Sequence, residues 1–262
     1  MKANYHTHTM RCLHATGTDE EYVLAAIDAG FDELGFSDHG PWRYRTSFIP
    51  TMRMLIDEFE DYRSSILNLK EKYSDQICIK LGLEYEFYPD YTEWLKGFID
   101  GSGLDYVIFG NHYAISDESN PYFGHSADLD LYLDSMLAGI ESNMYAYIAH
   151  PDLIMRPYGK FDSAIEKVFK VICRKAKEND RILEYNLLGL RRWGEKSREI
   201  GYPNDNFWKI AAAEGCKAII GTDAHSPDHL NDETYRKTAE AFLNSLGIEV
   251  VTTFPMHQGG LL

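Results

Sequence analysis

Histidine decides what chemistry this sequence could carry. Six short segments place an imidazole or a carboxylate directly after a β-branched or apolar run: Tyr5-His6-Thr7-His8, Ser37-Asp38-His39-Gly40, Gly82-Leu83-Glu84, Gly110-Asn111-His112, Ala149-His150-Pro151-Asp152 and Gly221-Thr222-Asp223-Ala224-His225. Side chains alternate along a strand, so H-x-H and D-x-H each put two donors on one face. His14 follows His8 on the first loop and is within reach of the same face. Imidazole mixed with carboxylate suits zinc, iron or manganese better than magnesium or calcium, which prefer all-oxygen sites. His6, His8, His14, His39, His112, His150 and His225, with Glu84 and Asp223, exceed what one tetrahedral ion takes, and suit two to three divalent transition-metal ions. Taken singly, a histidine after a strand is more often a surface or hydrogen-bonding residue. Their joint placement at successive strand ends is what implies a metal cluster.

The intervening elements must bring these segments together. Thr18-x-x-Glu21 is a capping box opening a helix that ends near Gly30. Periodicity then predicts a strand over Leu34–Ser37, a helix from Thr51 to about Tyr73, and strands over Ile77–Glu84 and Tyr106–Gly110. A helix over Asp128–Ser142 and a strand over Tyr145–Ala149 follow. Ser163-x-x-Glu166 caps a helix to about Asn179, before a strand over Ile182–Asn186. The remainder reads as helix Asn204–Gly215, strand Ala218–Gly221 and helix Pro227–Leu246. With Ala3–His6 and Ile248–Thr252 as first and last strands, the α/β pattern makes seven or eight βα units in one domain spanning residues 1–262. A closed parallel barrel is the expected architecture, with a doubly wound open sheet as the alternative. Neither G-x-G-x-x-G nor G-x-x-x-x-G-K-[ST] occurs, which weakens the nucleotide-binding open sheets. In a parallel barrel the C-terminal strand ends open on one face, so donors far apart in sequence converge there.

Charge narrows the partners. Lys and Arg number 26 and Asp and Glu 41, a net charge of −15. Such a chain is repelled by nucleic acid and anionic membranes, and it has no local basic patch, so neither partner is expected. An anionic substrate would have to be held by metal ions and a few arginines. Cys12, Cys78, Cys173 and Cys216 form no C-x-x-C pair, the N-terminus lacks a signal-peptide core, and no apolar run approaches membrane-helix length. A cytoplasmic protein with free thiols is expected.

At these motifs, from Tyr5-His6-Thr7-His8 to Gly221-Thr222-Asp223-Ala224-His225, the chain resembles the PHP (polymerase and histidinol phosphatase) superfamily. Chain length, Ser37-Asp38-His39-Gly40-Pro41 and Gly82-Leu83-Glu84-Tyr85-Glu86 resemble its histidinol-phosphatase branch. The resemblance implies a distorted (β/α)7 TIM-like barrel with a trinuclear metal site at the C-terminal strand ends. It implies one ion on His6, His8, Glu84 and Asp223, Glu84 bridging to a second on His112 and His150, and a third on His14, His39 and His225. Glu86 shares a strand face with Glu84 and competes for the bridge; the Gly-Leu-Glu match favours Glu84. The implied reaction is hydrolysis of a small-molecule phosphomonoester, L-histidinol phosphate in histidine biosynthesis. A nucleotide, a phosphotyrosine protein or a non-catalytic metal-binding role are the competing readings. Paired ions can activate water for in-line attack and neutralise the phosphoryl oxygens, so no side-chain nucleophile is required.

Other roles rest on position. Arg156, Arg191 and Arg192 fall near the barrel mouth, and the family uses arginines there for the phosphoryl group; Arg156 and Arg192 are the choices. Asp38 and His229 are candidate catalytic proton donors, although Asp38 could equally orient a metal-bound histidine. His125 and His257 are read as surface residues. Of the aromatics near the loops (Trp42, Tyr85, Tyr88, Tyr113, Tyr122 and Trp193), none is singled out for substrate recognition.

Overall fold

The structure is a computed structural model that describes residues 1–256. Strand signals in the sequence are short apolar runs, and nearly all of their residues are buried, as expected where both faces of a parallel sheet are covered. Among the described residues, eight strands pair in sequence order and always in parallel: β1 (Ala3–Asn4), β2 (Glu33–Phe36), β3 (Cys78–Tyr85), β4 (Tyr106–Gly110), β5 (Tyr147–Ala149), β6 (Ile182–Asn186), β7 (Lys217–Gly221) and β8 (Glu249–Val250). Interleaved helices cover the outside, led by Phe59–Lys72, Leu129–Glu141, Ser163–Glu178 and Asp205–Ala213.

The sheet curls until its ends meet at the C-terminal mouth. Thr7, just past β1, bridges in parallel to Ala224, just past β7. The His8 N–H donates to the Ala224 carbonyl at 2.9 Å and the Ala224 N–H to the His6 carbonyl at 3.0 Å. Strand β8 pairs only with the first two residues of β7, at the opposite end. The architecture is thus the expected distorted TIM-like barrel, in which seven strands reach the mouth and a two-residue eighth joins at the floor. Phe254, following β8, packs against Tyr5, Tyr106 and Tyr147 at ring-centroid distances of 4.6, 5.5 and 5.4 Å and fills that floor.

Helix starts follow side-chain caps. Thr18 and Glu21 form the reciprocal capping box. Asp128 and Asn204 are N-caps rather than helical residues, and Asp162, not Ser163, caps the helix leading to β6. Residues 51–55, expected to be helical, are irregular; a 3-10 turn over Ile56–Glu58 precedes the helix. Within this irregular segment Arg53 turns its side chain into the protein, where it is fully buried against Glu86. Pro227–Leu246 divides at Asp232, which caps Glu233–Ser245. Helices Thr92–Ser102 and Leu187–Trp193 were not among the expected elements.

Since Phe254 fills the floor of the barrel, Phe254→Ala is expected to destabilise the fold by about 3–5 kcal/mol through the cavity it leaves. Equilibrium urea unfolding measures this; a loss under about 1 kcal/mol would mean that the floor collapses around the gap.

Candidate metal centre

The end of β3 and the segments after β1, β2, β4, β5 and β7 deliver donors to the mouth. All nine expected ligands come together there, and every one except His14 is buried. His6 Nε2 and His8 Nε2 lie 3.1 Å apart, and Asp223 Oδ1 is 3.5 and 3.2 Å from them. Glu84 Oε2 is 3.6 Å from each of the same two nitrogens. Its other oxygen, Oε1, is 2.9 Å from His150 Nε2 and 3.5 Å from His112 Nε2, which are themselves 3.2 Å apart. The two oxygens of Glu84 thus face different donor groups, and Oε2 also lies 3.1 Å from His39 Nδ1. His14 Nε2 and His225 Nε2 lie 3.0 Å apart, and His39 has a ring nitrogen within 4.8 Å of those of His8 and His225.

Donors around a tetrahedral ion with bonds of 2.0–2.1 Å are separated by about 3.4 Å, the spacing seen within these groups. Side-chain partners aim the rings accordingly. The Nδ1 atom of His6 faces Glu184 Oε1 at 2.7 Å, that of His112 faces Glu86 Oε1 at 3.0 Å, and that of His8 faces Asp38 Oδ1 at 3.4 Å. The Nδ1 atoms of His14 and His225 face the carbonyls of Cys12 and Asp223 at 2.7 and 3.0 Å. An acceptor at Nδ1 holds the proton there and leaves Nε2 with its lone pair for a metal. Glu84 Oε2, Asp223 Oδ1 and His39 Nδ1 are buried without a hydrogen-bond partner, a costly arrangement that a cation would relieve.

Burial alone would raise the carboxyl pKa of Glu84 and Asp223. Surrounding histidines, led by His112 for Glu84 and His6 for Asp223, instead hold both well below the carboxylate range. Burial disfavours charge on His8, but the facing carboxylates of Asp223 and Asp38 raise it to about 9. His6 is raised too, against its burial, by Glu184, Asp223 and Glu84. His39 and His225 are pushed well below the usual value by burial and by His8. The acids therefore demand positive charge at the centre of the cluster, and without a metal they draw protons onto His6 and His8. His150 and Asp223 adopt left-handed backbone, with φ of 29° and 51°. For residues other than glycine this costs about 1–3 kcal/mol each and is typical of functional sites.

Glu86, the competing candidate, accepts from Arg53 and faces His112 Nδ1, so of the two acids it is Glu84 that lies between the donor groups. The two residues expected to donate protons sit behind ligands rather than in the cavity. The Asp38 carboxylate takes the Thr9 hydroxyl and the backbone N–H groups of Thr9 and His39, at 3.1 and 2.8 Å for the latter two. Its buried oxygens face His8, Thr9 and the His39 N–H, and Asp38 is not among the residues that line the cavity. His229 Nδ1 accepts from the His225 backbone N–H at 3.2 Å, which places it as a brace. Above the cluster lies a cavity of about 290 Å³ lined in part by Arg156, Arg192, His125, Tyr122 and Tyr202. Arg156 and Arg192 thus fall where expected, whereas Arg191 turns to Asp232 at 3.3 Å. His125 is on the cavity and not merely a surface residue, with Nε2 3.5 Å from an Arg156 nitrogen. Of these aromatics, among the described residues, Tyr122 alone lines the cavity; Trp42, Tyr85 and Tyr88 are core. His257 and the side chain of Trp193 lie outside the described residues.

Two residues of the cluster were not anticipated. Glu184, besides holding His6, accepts from the His150 backbone N–H at 3.0 Å and from Asn186 at 2.9 Å. Asn186 also donates to Asp223 Oδ2 at 3.0 Å. Their signal was present as Glu184-x-Asn186 at the end of β6, with the alternation of H-x-H. A Cβ at Gly221, on the neighbouring strand, would overlap the Glu184 carboxylate, so glycine there makes room for it.

A parallel barrel whose strand ends gather imidazoles around a shared carboxylate defines a metal-dependent hydrolase. The chain belongs to the PHP domain family, which matches residues 4–187. It is 28% identical to a Deinococcus radiodurans protein named "Probable histidinol-phosphatase", with 85% of each chain covered. It is 26% identical to the histidinol-phosphatase of Bacillus subtilis, over 86% of this chain and 93% of that one. Its fold is that of histidinol phosphate phosphatase from Lactococcus lactis, solved with zinc, L-histidinol and phosphate, at a TM-score of 0.76, 21% identity and coverage of 98% and 99%.

Two outcomes are expected. Glu184→Gln, acting through His6, should weaken metal retention about 10–100-fold in a chelator competition while the circular dichroism spectrum is kept; parental retention would mean that Glu184 serves only folding. Adding zinc to metal-free protein in weak buffer at pH 7.5 should release protons, because His6 and His8, raised when metal-free, must lose them on ligation. A pH-stat that records no release would contradict this.

Proposed function

We infer that this protein is a metal-dependent phosphomonoesterase that hydrolyses L-histidinol phosphate to L-histidinol and phosphate, a step of histidine biosynthesis in the cytoplasm. The observation that carries the reading is Glu84 set between two donor groups beneath a cavity rimmed by Arg156 and Arg192. Relatives named histidinol-phosphatases that cover 85% or more of their own length support the substrate. Two to three ions of zinc, iron or manganese suit the donors, with His6, His8, Glu84 and Asp223 around the first, His112, His150 and Glu84 around the second, and His14, His39 and His225 around the third. When bound, such ions activate water and stabilise charge on the phosphoryl group.

The protein's own residues do the positioning. Arg156 and Arg192, which line the cavity together with Glu84 and Asp223, offer guanidinium forks to phosphoryl oxygens. Tyr122, Tyr202, Leu153 and Leu188 line the remaining wall and exclude water around the organic half of the substrate. The cavity is sized for a small molecule. Among the described residues no helix is long and apolar enough to cross a membrane.

A phosphate-release screen over L-histidinol phosphate, mononucleotides and a phosphotyrosine peptide tests the reading. L-histidinol phosphate should give the highest kcat/KM, chelator should abolish turnover and zinc or manganese should restore it. Arg192→Ala or Arg156→Ala should raise KM about ten-fold or more, the cost of a charged hydrogen bond. Preference for a nucleotide or the peptide, or turnover indifferent to chelator, would overturn the assignment.

A further inference from the structure

Arg53 is among the largest side chains buried completely in this protein, and no charge of its own is needed for the reaction described above. Its guanidinium grips Glu86 in bidentate fashion, at 2.7 Å to Oε1 and 3.0 Å to Oε2. The remaining donors reach the Gly40 carbonyl at 3.2 Å and Asp117 Oδ2 at 2.8 Å. Glu86 in turn accepts from Trp42 Nε1 at 3.2 Å and faces His112 Nδ1 at 3.0 Å. With these donors around it, the Glu86 carboxylate cannot swing, and the His112 ring is held with Nε2 toward His150 and Glu84.

The other end of the network reaches the cavity. Thr51 and Met52, the two residues before Arg53, line it, as do Tyr122 and His125 beyond Asp117. Asp117 accepts from both Arg53 and the Tyr44 hydroxyl, and Tyr113 donates to Met52 sulfur at 2.8 Å, so the two segments are fastened to each other at this point. Replacing a buried ion pair with apolar packing is often neutral or stabilising. Stability alone is therefore a poor account of three charged groups kept here.

We propose that Arg53 is a positioning residue that joins metal-ligating His112, through Glu86, to one wall of the substrate cavity, through Asp117. The proposal deepens the phosphomonoesterase reading, but its metal arm is independent of which substrate is used. The experiment takes the metal-loaded enzyme and the variants Arg53→Met, Arg53→Lys, Glu86→Gln and Asp117→Asn. It measures metal retention against a chromophoric chelator, kcat and KM for L-histidinol phosphate, and the melting temperature. Arg53→Met should lose its most weakly held metal equivalent at about 10–100-fold lower chelator, as outer partners of ligands typically dictate. Excess metal should restore its kcat but not its KM, raised several-fold. Arg53→Lys, which keeps the charge without the fork, should recover part of the retention. Glu86→Gln should weaken retention alone and Asp117→Asn should raise KM alone, a separation that a merely structural role would not produce. Parental metal retention in folded Arg53→Met overturns the proposal, as does parental retention in Glu86→Gln should Arg53→Met fail to fold. Parental KM in both Arg53→Met and Asp117→Asn overturns its link to the wall. If the parent releases no phosphate from this substrate, the functional reading fails while the retention comparison still decides the role of Arg53.

Discussion

Burying Glu84 and Asp223 among imidazoles is the constraint on which the structure turns. Neither carboxylate is exposed beyond a few per cent, and each leaves an oxygen without a hydrogen bond. A carboxylate in such a place must be neutralised or compensated. Protons on His6 and His8 offer partial compensation, but they occupy the nitrogens that point at the acids, where divalent charge would serve better. The site is therefore unstable as an empty polar pocket and is built around a cation. His6, His14, His112 and His225, held by acceptors at Nδ1, cannot rotate away to satisfy themselves elsewhere.

The barrel meets this demand by concentrating cost at its mouth and recovering it at its floor. Left-handed backbone at His150 and Asp223 turns the chain sharply at the strand ends. Such strain persists only where the surroundings overdetermine it. Here the His150 N–H is taken by Glu184, and Asp223 is gripped by Asn186. Below, aromatic packing of Tyr5, Tyr106, Tyr147 and Phe254 makes a dry plug. The polar cluster and the apolar plug occupy opposite ends of the same tube, so the sheet that supports the one is stabilised by the other.

The converging donors were legible in the sequence because each falls within a few residues of an apolar run, except for His14 on the first loop. Strand order followed only from the choice of a closed barrel over a doubly wound sheet, since the units of a barrel wind in sequence. What was hidden depends on contacts between strands. Nothing in the spacing of Asp38 tells whether its oxygens look outward or back to Thr9 and His39, and the latter is the case. His229 was placed near the mouth correctly, but its ring supports the His225 backbone. Glu184 carried the same alternating pattern as the ligands without an imidazole to draw notice. Arg53 was concealed most deeply, inside a stretch whose polar-apolar pattern read as helix, because burial of a guanidinium is decided by partners more than 30 positions away.

The overall charge raises a last point of physics. A chain of net charge −15 should repel a phosphomonoester, and its buried acids lie directly under the cavity. The repulsion is removed locally rather than globally. Two or three divalent ions would more than offset the two carboxylates at the centre, and Arg156 and Arg192 add positive charge on the rim. Fields from surface charges decay over about 8 Å at physiological ionic strength. Beyond that distance the acidic surface still disfavours polyanions, while a small monoester that reaches the mouth meets a positive floor and rim. An acidic exterior and a cationic pocket are thus compatible, and together they select for small anions over nucleic acid.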